Sequence, residues 1–281
     1  MRFAFFGTPA FAVTILEKLI ANDFIPETVV TNPDRPVGRR KTLAPPPVKH
    51  TLMEQDESIR ERIRLFQPEH KNELPLIPGG PYDFFIVAAY GFILPKELLS
   101  LPRLGTIGVH PSLLPCHRGA SPIQSTILAG DREAGVSLFL VDEDVDHGPV
   151  IAHEILDGYD ISSITYRELH DALAELGGDL LVRTLPGFIE GNIILEPQDE
   201  SKATFTKKFT TDDARVDLEK DEPEMIWRKV RALNPEPGVF TLISSKGELR
   251  RMKILDADFR DGKLVLRRTQ MEGELPKEVT R

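Results

Sequence analysis

Short apolar runs alternate with helix-like patterns in the first half of the chain, and this alternation limits the possible folds more than any other feature. Four runs have the length and character of buried strands and lie at residues 2–6, 27–31, 63–66 and 84–89. Between the first two, residues 9–22 carry apolar side chains at helical spacing. Because strands that alternate with helices form parallel sheets covered by helices, the sequence predicts an α/β fold.

The size and composition are those of a globular protein with one large domain or two of ordinary size, and we expect two. The chain has 281 residues, 41% of them hydrophobic and 28% charged, which is enough apolar material for a core. Its one cysteine, Cys116, excludes an intrachain disulfide and a cysteine-based zinc site, and we expect a cytoplasmic protein. The first apolar run is too short for a signal peptide, and no run approaches the roughly 20 apolar residues of a membrane span.

Charge is distributed unevenly along the chain. The whole sequence has a formal net charge of -9, yet residues 207–281 hold 17 Lys and Arg against 15 Asp and Glu. Residues 1–206 hold the other 18 basic and 29 acidic side chains. The C-terminal segment is therefore compatible with a phosphate-bearing partner, although a solvated surface of mixed charge explains the numbers equally well.

The second half of the chain divides into a helix, a polar connection and a β-rich segment. Residues 163–191 have apolar side chains at helical spacing, and residues 192–206 are polar and aperiodic. A helical pattern at 222–233 then precedes three strand-like runs separated by glycines, as in a small antiparallel barrel. We predict a first domain at 1–191, a linker at 192–206 and a second domain at 207–281.

His110 and Asp146 are the candidate catalytic pair. Each follows an apolar run, so the two side chains can meet at one edge of the sheet and handle a proton there. Side chains two residues apart in a strand point to the same side, and the position two before His110 is Gly108, which has no side chain. From the residues alone, a structural histidine and a surface carboxylate are the commoner explanation.

Two further segments carry weaker signals. Gly7, Thr8 and Pro9 form a strand-to-helix turn that can present free backbone amides, but no G-x-G-x-x-G motif or P-loop follows. Residues 32–49 form a long, proline-rich loop with a basic cluster. The cluster comprises Arg35, Arg39, Arg40 and Lys41. Its charge suits a phosphate backbone, and solubility explains it equally well.

An ordered set of short motifs resembles the folate-dependent formyltransferases and covers nearly the whole chain. In the first part the motifs are FFGTP at 5–9, PDRP at 33–36, PVK at 47–49, AYG at 89–91, HPSLLP at 110–115, RGA at 118–120, PIQ at 122–124 and AGD at 129–131. In the last part they are ATFTK at 203–207, DARVD at 213–217 and RALNP at 231–235. Each motif alone is weak, and the ordered set is specific. The last three favour the tRNA-directed branch of the family.

The resemblance implies a Rossmann-like catalytic domain followed by an OB-like β-barrel. It also implies a monomer that moves a formyl group from 10-formyltetrahydrofolate to the α-amine of methionine on initiator tRNA, with no metal. His110 then handles a proton and stabilises the oxyanion, while Asp146 holds its ring. The residues implied for the folate pocket are Tyr90, Gly91, Ser112, Leu113, Leu114 and Pro115. Those implied for tRNA are Arg35, Arg39, Arg40 and Lys41.

The chain departs from the family at Gly108, which stands where the family has a catalytic asparagine. Elsewhere the loss of one oxyanion donor lowers turnover by about 100- to 1,000-fold. Three outcomes follow: a slower enzyme, an enzyme with a substitute donor such as water or His147, or a protein that binds without catalysing. Because the other motifs are intact, we expect retained activity. A sugar-amine formyltransferase is a further alternative, which the basic loop and the C-terminal motifs disfavour.

A second departure concerns the end of the chain. The sequence stops soon after the last strand-like run, at Thr280 and Arg281. We expect the final strand of the barrel to be shortened or missing, with weaker tRNA binding as the consequence.

Overall fold

The computed structural model of this chain describes residues 1–38, 41–245 and 248–279. They fall into two compact units. The first comprises Met1–Arg118, Gly135–Leu156 and His170–Thr204, and the second comprises Gly119–Ala134, Asp157–Leu169 and Phe205–Arg281. Each unit therefore combines segments that are distant in the sequence.

Fifteen strands and seven helices are assigned in the described residues. The strands are β1 Phe3–Gly7, β2 Thr28–Val30, β3 Arg35–Val37, β4 Thr42–Ala44, β5 Arg64–Phe66, β6 Phe84–Ala88, β7 Thr106–His110, β8 Arg118–Gly119, β9 Gly135–Leu140, β10 Val150–Ile155, β11 Phe205–Thr206, β12 Phe240–Ser245, β13 Glu248–Arg260, β14 Lys263–Met271 and β15 Lys277–Glu278. The helices are α1 Ala10–Ala21, α2 Pro47–Glu54, α3 Glu57–Arg60, α4 Lys96–Leu99, α5 Pro122–Ala129, α6 Tyr166–Ile189 and α7 Pro223–Leu233, with 3-10 turns at Lys71–Leu76 and Glu200–Lys202.

Seven strands of the first unit form one sheet, in the order β10-β9-β7-β6-β1-β2-β5. The five strands from β7 to β5 run parallel, whereas β9 is antiparallel to β7 and β10 is antiparallel to β9. Every residue of β1 is buried, as is all but one of β6, which explains their continuous apolar sequences. The predicted α/β fold with a parallel sheet is confirmed, and each of the four predicted strands overlaps a strand of this sheet.

Close packing determines the residue at the turn from β1 into α1. A Cβ atom on Gly7 would lie 2.5 Å from the Cβ of Ala12 and 3.0 Å from the carbonyl oxygen of Ala88. Both neighbours belong to buried elements, so a side chain at this position would push the helix away from the sheet. Packing alone therefore accounts for Gly7, without a ligand at the turn.

Four antiparallel strands and the helix α7 form much of the second unit. The strands pair in the order β12-β13-β14-β15, and Asp261 and Gly262 make the positive-φ turn between β13 and β14. The helix and the antiparallel strands predicted for this segment are confirmed. Within the described residues β12 and β15 are not paired with each other, and Thr280 and Arg281 lie outside those residues.

The segment predicted as a linker is partly built into the first unit. Glu196 exchanges two backbone hydrogen bonds with Val150 of β10, at N–O distances of 2.8 and 2.9 Å. The last segment of the first unit, His170–Thr204, includes most of this stretch. A polar, aperiodic sequence gives no signal for such pairing, because the edge of a sheet recognises backbone groups rather than side chains. The domain boundaries at 191 and 207 stay a prediction.

Glu27, just before β2, connects the amino ends of three neighbouring strands. Its carboxylate accepts hydrogen bonds from Arg2 at 2.6 and 2.7 Å and also pairs with Arg64. The hydrogen bonds from Arg2, and then that from Arg64, hold the pKa of Glu27 below its ordinary value. The ionised carboxylate therefore stabilises this edge of the sheet.

We expect Glu27→Gln to lower the free energy of unfolding by about 1 kcal/mol at pH 7. A carboxyl group whose pKa is lowered by folding stabilises the protein fully above its unfolded pKa of about 4.3, and this contribution disappears as the pH falls through the folded pKa. Urea denaturation at pH 7 and at lower pH measures the difference, with the exposed Glu17→Gln as the control. A loss that stays the same in acid would show that the charge of Glu27 is not responsible.

Candidate active site

The candidate active site lies at the carboxyl end of β7, where His110 is the last residue. The imidazole is buried, with 6% of the residue exposed. Its Nε2 lies 3.0 Å from the carbonyl oxygen of His117, and since a carbonyl only accepts, Nε2 carries a hydrogen and donates it. Its Nδ1 lies 3.6 Å from Oδ2 of Asp146. That distance is too long for a hydrogen bond but within the range of a direct electrostatic interaction with a protonated ring.

The chain reaches this pairing by a less direct route than the sequence indicates. Since β9 is antiparallel to β7, its last residue, Leu140, lies beside Ile107 rather than beside His110. The loop between β9 and β10 must therefore double back along β7 to bring Asp146 to the histidine. The structure brings the predicted pair together, but through this returning loop and not because two strands end at the same edge of the sheet.

Two backbone features fix the turn that carries Asp146. Asp146 has a φ of 50°, in the left-handed region that non-glycine residues rarely adopt. Two residues later, a Cβ atom on Gly148 would lie 1.8 Å from the carbonyl oxygen of Leu140. A side chain at Gly148 is therefore excluded by backbone, and the surrounding structure must hold Asp146 in its strained conformation.

Gln198 holds this turn. Its amide nitrogen donates to the carbonyl oxygens of Asp146 and Gly148, at 2.8 and 2.7 Å. Its amide oxygen accepts from Nε and a terminal nitrogen of Arg118, at 3.0 and 2.8 Å. One side chain therefore links the turn on one side to a guanidinium on the other, with its donor and acceptor groups both engaged.

Arg118 is itself held from two directions. It is 1% exposed, and besides Gln198 it makes a two-point contact with Glu200, at 3.0 and 2.6 Å. A buried guanidinium is stable only with such partners, and paired N–H groups on a planar fork also fix its direction. The hydrogen bonds from Arg118 in turn lower the pKa of the Glu200 carboxyl.

Sequence reasoning missed both of these supporting residues. Arg118 belongs to the RGA motif, which indicates family membership but does not indicate which role the arginine has. Gln198 lies in the polar stretch predicted as a linker and is 52 residues from Asp146 along the chain. Nothing local to position 198 indicates that contact.

The space beside Gly108 is filled. Gly108 pairs with Phe139 of β9, and a Cβ atom on Gly108 would lie 2.3 to 3.0 Å from three carbons of the Phe139 ring. This ring is 3% exposed, packs with Leu114 and Val150, and meets the His110 ring edge to face at 6.4 Å. An aromatic ring therefore occupies the side of β7 where the resemblance places an amide donor.

The segment at 112–115 forms a tightly bonded turn after β7. The hydroxyl of Ser112 donates to the carbonyl oxygen of Cys116 at 2.6 Å, and Ser137 bonds both the Ser112 carbonyl oxygen and the Leu114 amide, at 2.8 and 2.9 Å. Ser112 and Leu114 are buried, whereas Leu113 and Pro115 are partly exposed. Of the four residues of this segment among the six predicted for the folate pocket, Leu113 and Pro115 have side-chain surface available to a ligand.

Tyr90 and Gly91 follow β6, at the carboxyl end of the neighbouring parallel strand. The Tyr90 ring packs edge to face on Phe6, its hydroxyl is buried, and that hydroxyl has no hydrogen-bond partner among the described residues. Burial raises the pKa of this phenol well above its ordinary value. In the described chain Oδ1 of Asn32, beside Gly91, is also buried and unpaired. Unpaired polar atoms at the edge of apolar rings fit a heteroaromatic ligand such as the pterin of a folate.

The basic segment, predicted as a long, proline-rich loop, contains an exposed hairpin. Strands β3 and β4 are antiparallel, and Gly38 and Lys41 have positive φ values of 70° and 49° in the turn between them. Arg35 is exposed and pairs with Glu69 at 3.4 Å, and Lys41 is also exposed. Arg39 and Arg40 lie outside the described residues.

One further histidine and the cysteine lie near the His110–Asp146 pair in the sequence, and each has partners of its own. His147, predicted as a substitute donor, lies between carboxylates: Nδ1 is 2.7 Å from Asp142 and Nε2 is 3.6 Å from Glu200. Hydrogen bonding to Asp142 raises its pKa. Cys116 is partly buried, and its sulfur lies 3.9 Å from the carbonyl oxygen of Lys202.

Two kinds of feature are absent from the part of the chain that the structure describes. No group of three His, Cys, Asp or Glu side chains is arranged to hold a metal ion there. No helix in those same residues has both the length and the apolar character to cross a bilayer.

Comparison with known proteins places the chain in a family. A model of the formyl transferase family matches residues 1–185, and a model of the formyl transferase C-terminal domain matches residues 208–269. The chain belongs to the formyl transferase family.

Within that family, two similar relatives are methionyl-tRNA formyltransferases. That of Methylococcus capsulatus is 42% identical over 237 residues, which cover 84% of this chain and 75% of the relative. That of Staphylococcus aureus is 37% identical over 261 residues, or 92% and 79% of the two chains. The resemblance stated from the motifs is confirmed.

A solved structure of WlaRD, a sugar 3N-formyl transferase in the presence of dTDP and 5-N-formyl-THF, superposes with a TM-score of 0.69. The match covers 98% of this chain and 99% of that one. At 16% identity it shows a shared fold alone.

We expect Gly108→Ala to lower the free energy of unfolding by about 1–3 kcal/mol, because the added methyl group overlaps the packed Phe139 ring. Adding Phe139→Leu to that variant should recover part of the loss, since the two positions share one volume. Gly187→Ala in α6 is the matched control, because a Cβ there would be 3.5 Å from its nearest neighbour. Thermal and urea unfolding measure all four proteins. If Gly108→Ala unfolds like the unchanged protein, the ring does not fill this space.

Proposed function

We propose that this protein transfers a formyl group from 10-formyltetrahydrofolate to the α-amine of methionine carried by initiator tRNA. The observation that carries the proposal is the His110–Asp146 pair at the carboxyl end of β7, supported by Gln198, in a chain of the formyl transferase family. Similarity to two methionyl-tRNA formyltransferases at 37% and 42% identity supports the choice of acceptor. We place the activity in the cytoplasm, where initiator tRNA is used.

His110 is the proton-handling residue in this proposal. When both ring nitrogens carry hydrogens, Nε2 donates to the His117 carbonyl oxygen and Nδ1 faces the Asp146 carboxylate, so both protons face acceptors. The attacking amine must lose a proton, and the formyl oxygen gains negative charge as the C–N bond forms. A buried imidazole beside a fixed carboxylate can accept the proton of the amine and can stabilise the negative charge on the formyl oxygen. No enzyme thiol or hydroxyl attacks, because the nucleophile is the amine of the substrate.

The folate would lie at the carboxyl ends of β6 and β7. Tyr90 and Gly91 would line one side, and the segment 112–115 would line the other, with Leu113 and Pro115 presenting their exposed surface and the buried Ser112 and Leu114 holding the turn. The unpaired Tyr90 hydroxyl supports this placement, because a pterin ring offers hydrogen-bonding edges to such a group. When bound, 10-formyltetrahydrofolate supplies the formyl carbon and a tetrahydrofolate amine as the leaving group.

The hairpin formed by β3 and β4 is the proposed contact for tRNA. Arg35 and Lys41 are exposed on it, and Arg39 and Arg40 belong to the same basic cluster. Phosphate oxygens are the natural partners of such a cluster, and contacts of this kind weaken steeply as salt rises.

A folate- or tRNA-binding protein without turnover is the second candidate. The Phe139 ring beside Gly108 favours it, because an apolar surface replaces a donor of the kind that stabilises oxyanions. A sugar-amine acceptor has less support, since the likeness to WlaRD extends to the fold alone.

One assay separates the two candidates. We expect the protein to form N-formylmethionyl-tRNA from 10-formyltetrahydrofolate and methionyl-initiator tRNA, and we expect His110→Ala to lower kcat/KM by about 100- to 10,000-fold. His50→Ala, an exposed histidine of α2, is the control. Folate binding without any product from the unchanged protein would instead establish the second candidate. A Gly108→Asn variant tests rescue only together with a smaller residue at Phe139.

Gln198→Leu should lower kcat by about tenfold to a hundredfold with a smaller effect on KM, because a released turn misplaces Asp146 without altering the ligand pockets. Gln198→Glu keeps an acceptor for Arg118 but loses the donor to Asp146 and Gly148, so it should be impaired as well. Gln55→Leu is the matched control. A change in KM alone, or a pH profile of kcat identical to that of the unchanged protein, would rule out a positioning role for Gln198.

A further inference from the structure

The hairpin formed by β3 and β4 has little packing of its own. Its strands form a separate two-stranded sheet. All three residues of β3 and the first two of β4 are exposed, and Ala44 at the end of β4 is partly exposed. A two-stranded hairpin without a buried face is marginally stable in water. The direction in which this hairpin projects must therefore be fixed at its base.

Asp34, the residue before β3, holds the base of the hairpin. Both of its carboxylate oxygens accept hydrogen bonds from Nζ of Lys49 at 2.8 Å, and Oδ1 also accepts from the amide nitrogen of Gln67 at 3.0 Å. The side chains of Asp34 and Lys49 are 28% and 21% exposed. By contrast, the side chains of the Arg35–Glu69 pair are 63% and 59% exposed, and such a pair contributes little.

Both partners of Asp34 belong to segments that are fixed elsewhere. Lys49 lies in the first turn of α2, next to Val48, whose side chain is fully buried and whose backbone nitrogen donates to the carbonyl oxygen of Thr8 at 3.3 Å. Gln67 follows β5, an edge strand of the seven-stranded sheet, and its amide nitrogen also donates to the carbonyl oxygen of Asn32 at 2.8 Å. The carboxylate therefore joins the chain that enters the hairpin to the helix that leaves it and to the sheet.

The charge of Asp34 is what these contacts use. The hydrogen bonds from Lys49, and then that from Gln67, hold the pKa of the Asp34 carboxyl below its ordinary value, so the group is ionised at neutral pH. Hydrogen bonds to an ionised acceptor are roughly twice as strong as those between neutral groups. An amide at position 34 would lose the ion pair and one acceptor oxygen while keeping the size of the side chain.

We propose that Asp34, Lys49 and Gln67 form a clamp that positions the basic hairpin for the acceptor RNA. The inference rests on the proposed function, because the hairpin is the proposed contact for tRNA. A clamped hairpin presents its cations to the phosphates in one orientation, so less conformational freedom is lost when the RNA binds. The three residues are positioning residues, which act through the hairpin.

The sign of one substitution distinguishes positioning from simple electrostatics. If the carboxylate of Asp34 were only a negative charge near the RNA, its removal would strengthen binding to a polyanion. If Asp34 holds the hairpin, Asp34→Asn should weaken binding, although the same negative charge is removed. The two roles therefore predict changes in opposite directions.

The affinity of the full-length protein for methionyl-initiator tRNA is measured over a range of salt concentrations, together with the steady-state kinetics. We expect Asp34→Asn to raise the Kd and the KM for the tRNA by roughly threefold to thirtyfold, because the released hairpin must be ordered on binding. The kcat and the KM for 10-formyltetrahydrofolate should change little. The salt dependence of the affinity should become shallower, because fewer phosphates are contacted at once.

Two further variants complete the comparison. Gln67→Leu changes no charge and should weaken binding in the same direction as Asp34→Asn. Glu69→Gln is the matched control, because it removes a negative charge from the exposed pair with Arg35, outside the clamp. It should bind as tightly as the unchanged protein, or more tightly.

Hydrogen exchange without any ligand tests the clamp separately from the function. Peptides from residues 32–49 should exchange faster in Asp34→Asn and Gln67→Leu than in the unchanged protein, while peptides that cover β6 and β7 should not. Unchanged exchange in residues 32–49, or an Asp34→Asn variant that binds the tRNA at least as tightly as the unchanged protein, overturns the clamp.

Failure of the proposed function has a different signature. If the unchanged protein binds the tRNA but forms no product, the proposed formyl transfer is overturned, while weaker binding by the two clamp variants still supports the clamp. If the unchanged protein does not bind the tRNA, both proposals are overturned.

Discussion

The hydrogen bonds between Arg118 and Gln198 are the contact on which the candidate active site depends. They fix the amide that holds the two carbonyl groups of the Asp146 turn. Asp146 is in a left-handed conformation that costs of order 1–3 kcal/mol, and such a conformation persists only when its surroundings impose it. Because the carboxylate of Asp146 faces His110 from this turn, the hydrogen bonds of a buried cation help to fix the geometry of the candidate pair.

A second constraint is steric and changes what the site can do. The Phe139 ring occupies the volume beside Gly108, so the missing side chain leaves neither a cavity nor room for water at that point. In the proposed reaction His110 would then be the main stabiliser of the oxyanion, which gives the placement of its ring beside Asp146 more weight. A single substitution to asparagine would not restore a donor, because it would also have to displace a ring packed against Leu114 and Val150.

The sequence predicted the fold and the two central residues, but not the contacts that organise them. Buried parallel strands can be recognised in a sequence as continuous apolar runs, and His110 and Asp146 lie near the ends of such runs. The role of Gln198 could not be predicted from the neighbouring sequence, because its partners Asp146 and Arg118 lie 52 and 80 residues away. The contact between Gly108 and Phe139 depends on the register of an antiparallel pair within a mostly parallel sheet, which neither strand specifies by itself. The hairpin in the basic segment depends on a positive φ at Lys41, a residue with no special preference for it.

Two arginines that are buried among the described residues, Arg118 and Arg231, meet the cost of burial in different ways. Arg118 and Arg231 are similarly inaccessible, at 1% and 6% exposure, so desolvation penalises both. Arg118 recovers that cost within the protein, through a carboxylate and an amide that occupy its guanidinium. Arg231 has one carbonyl oxygen, the face of a tryptophan and, at longer range, the carboxylates of Asp160 and Glu224 around it. The same desolvation cost is therefore met by direct hydrogen bonds from side chains at Arg118, and by a carbonyl group, an aromatic face and more distant charges at Arg231.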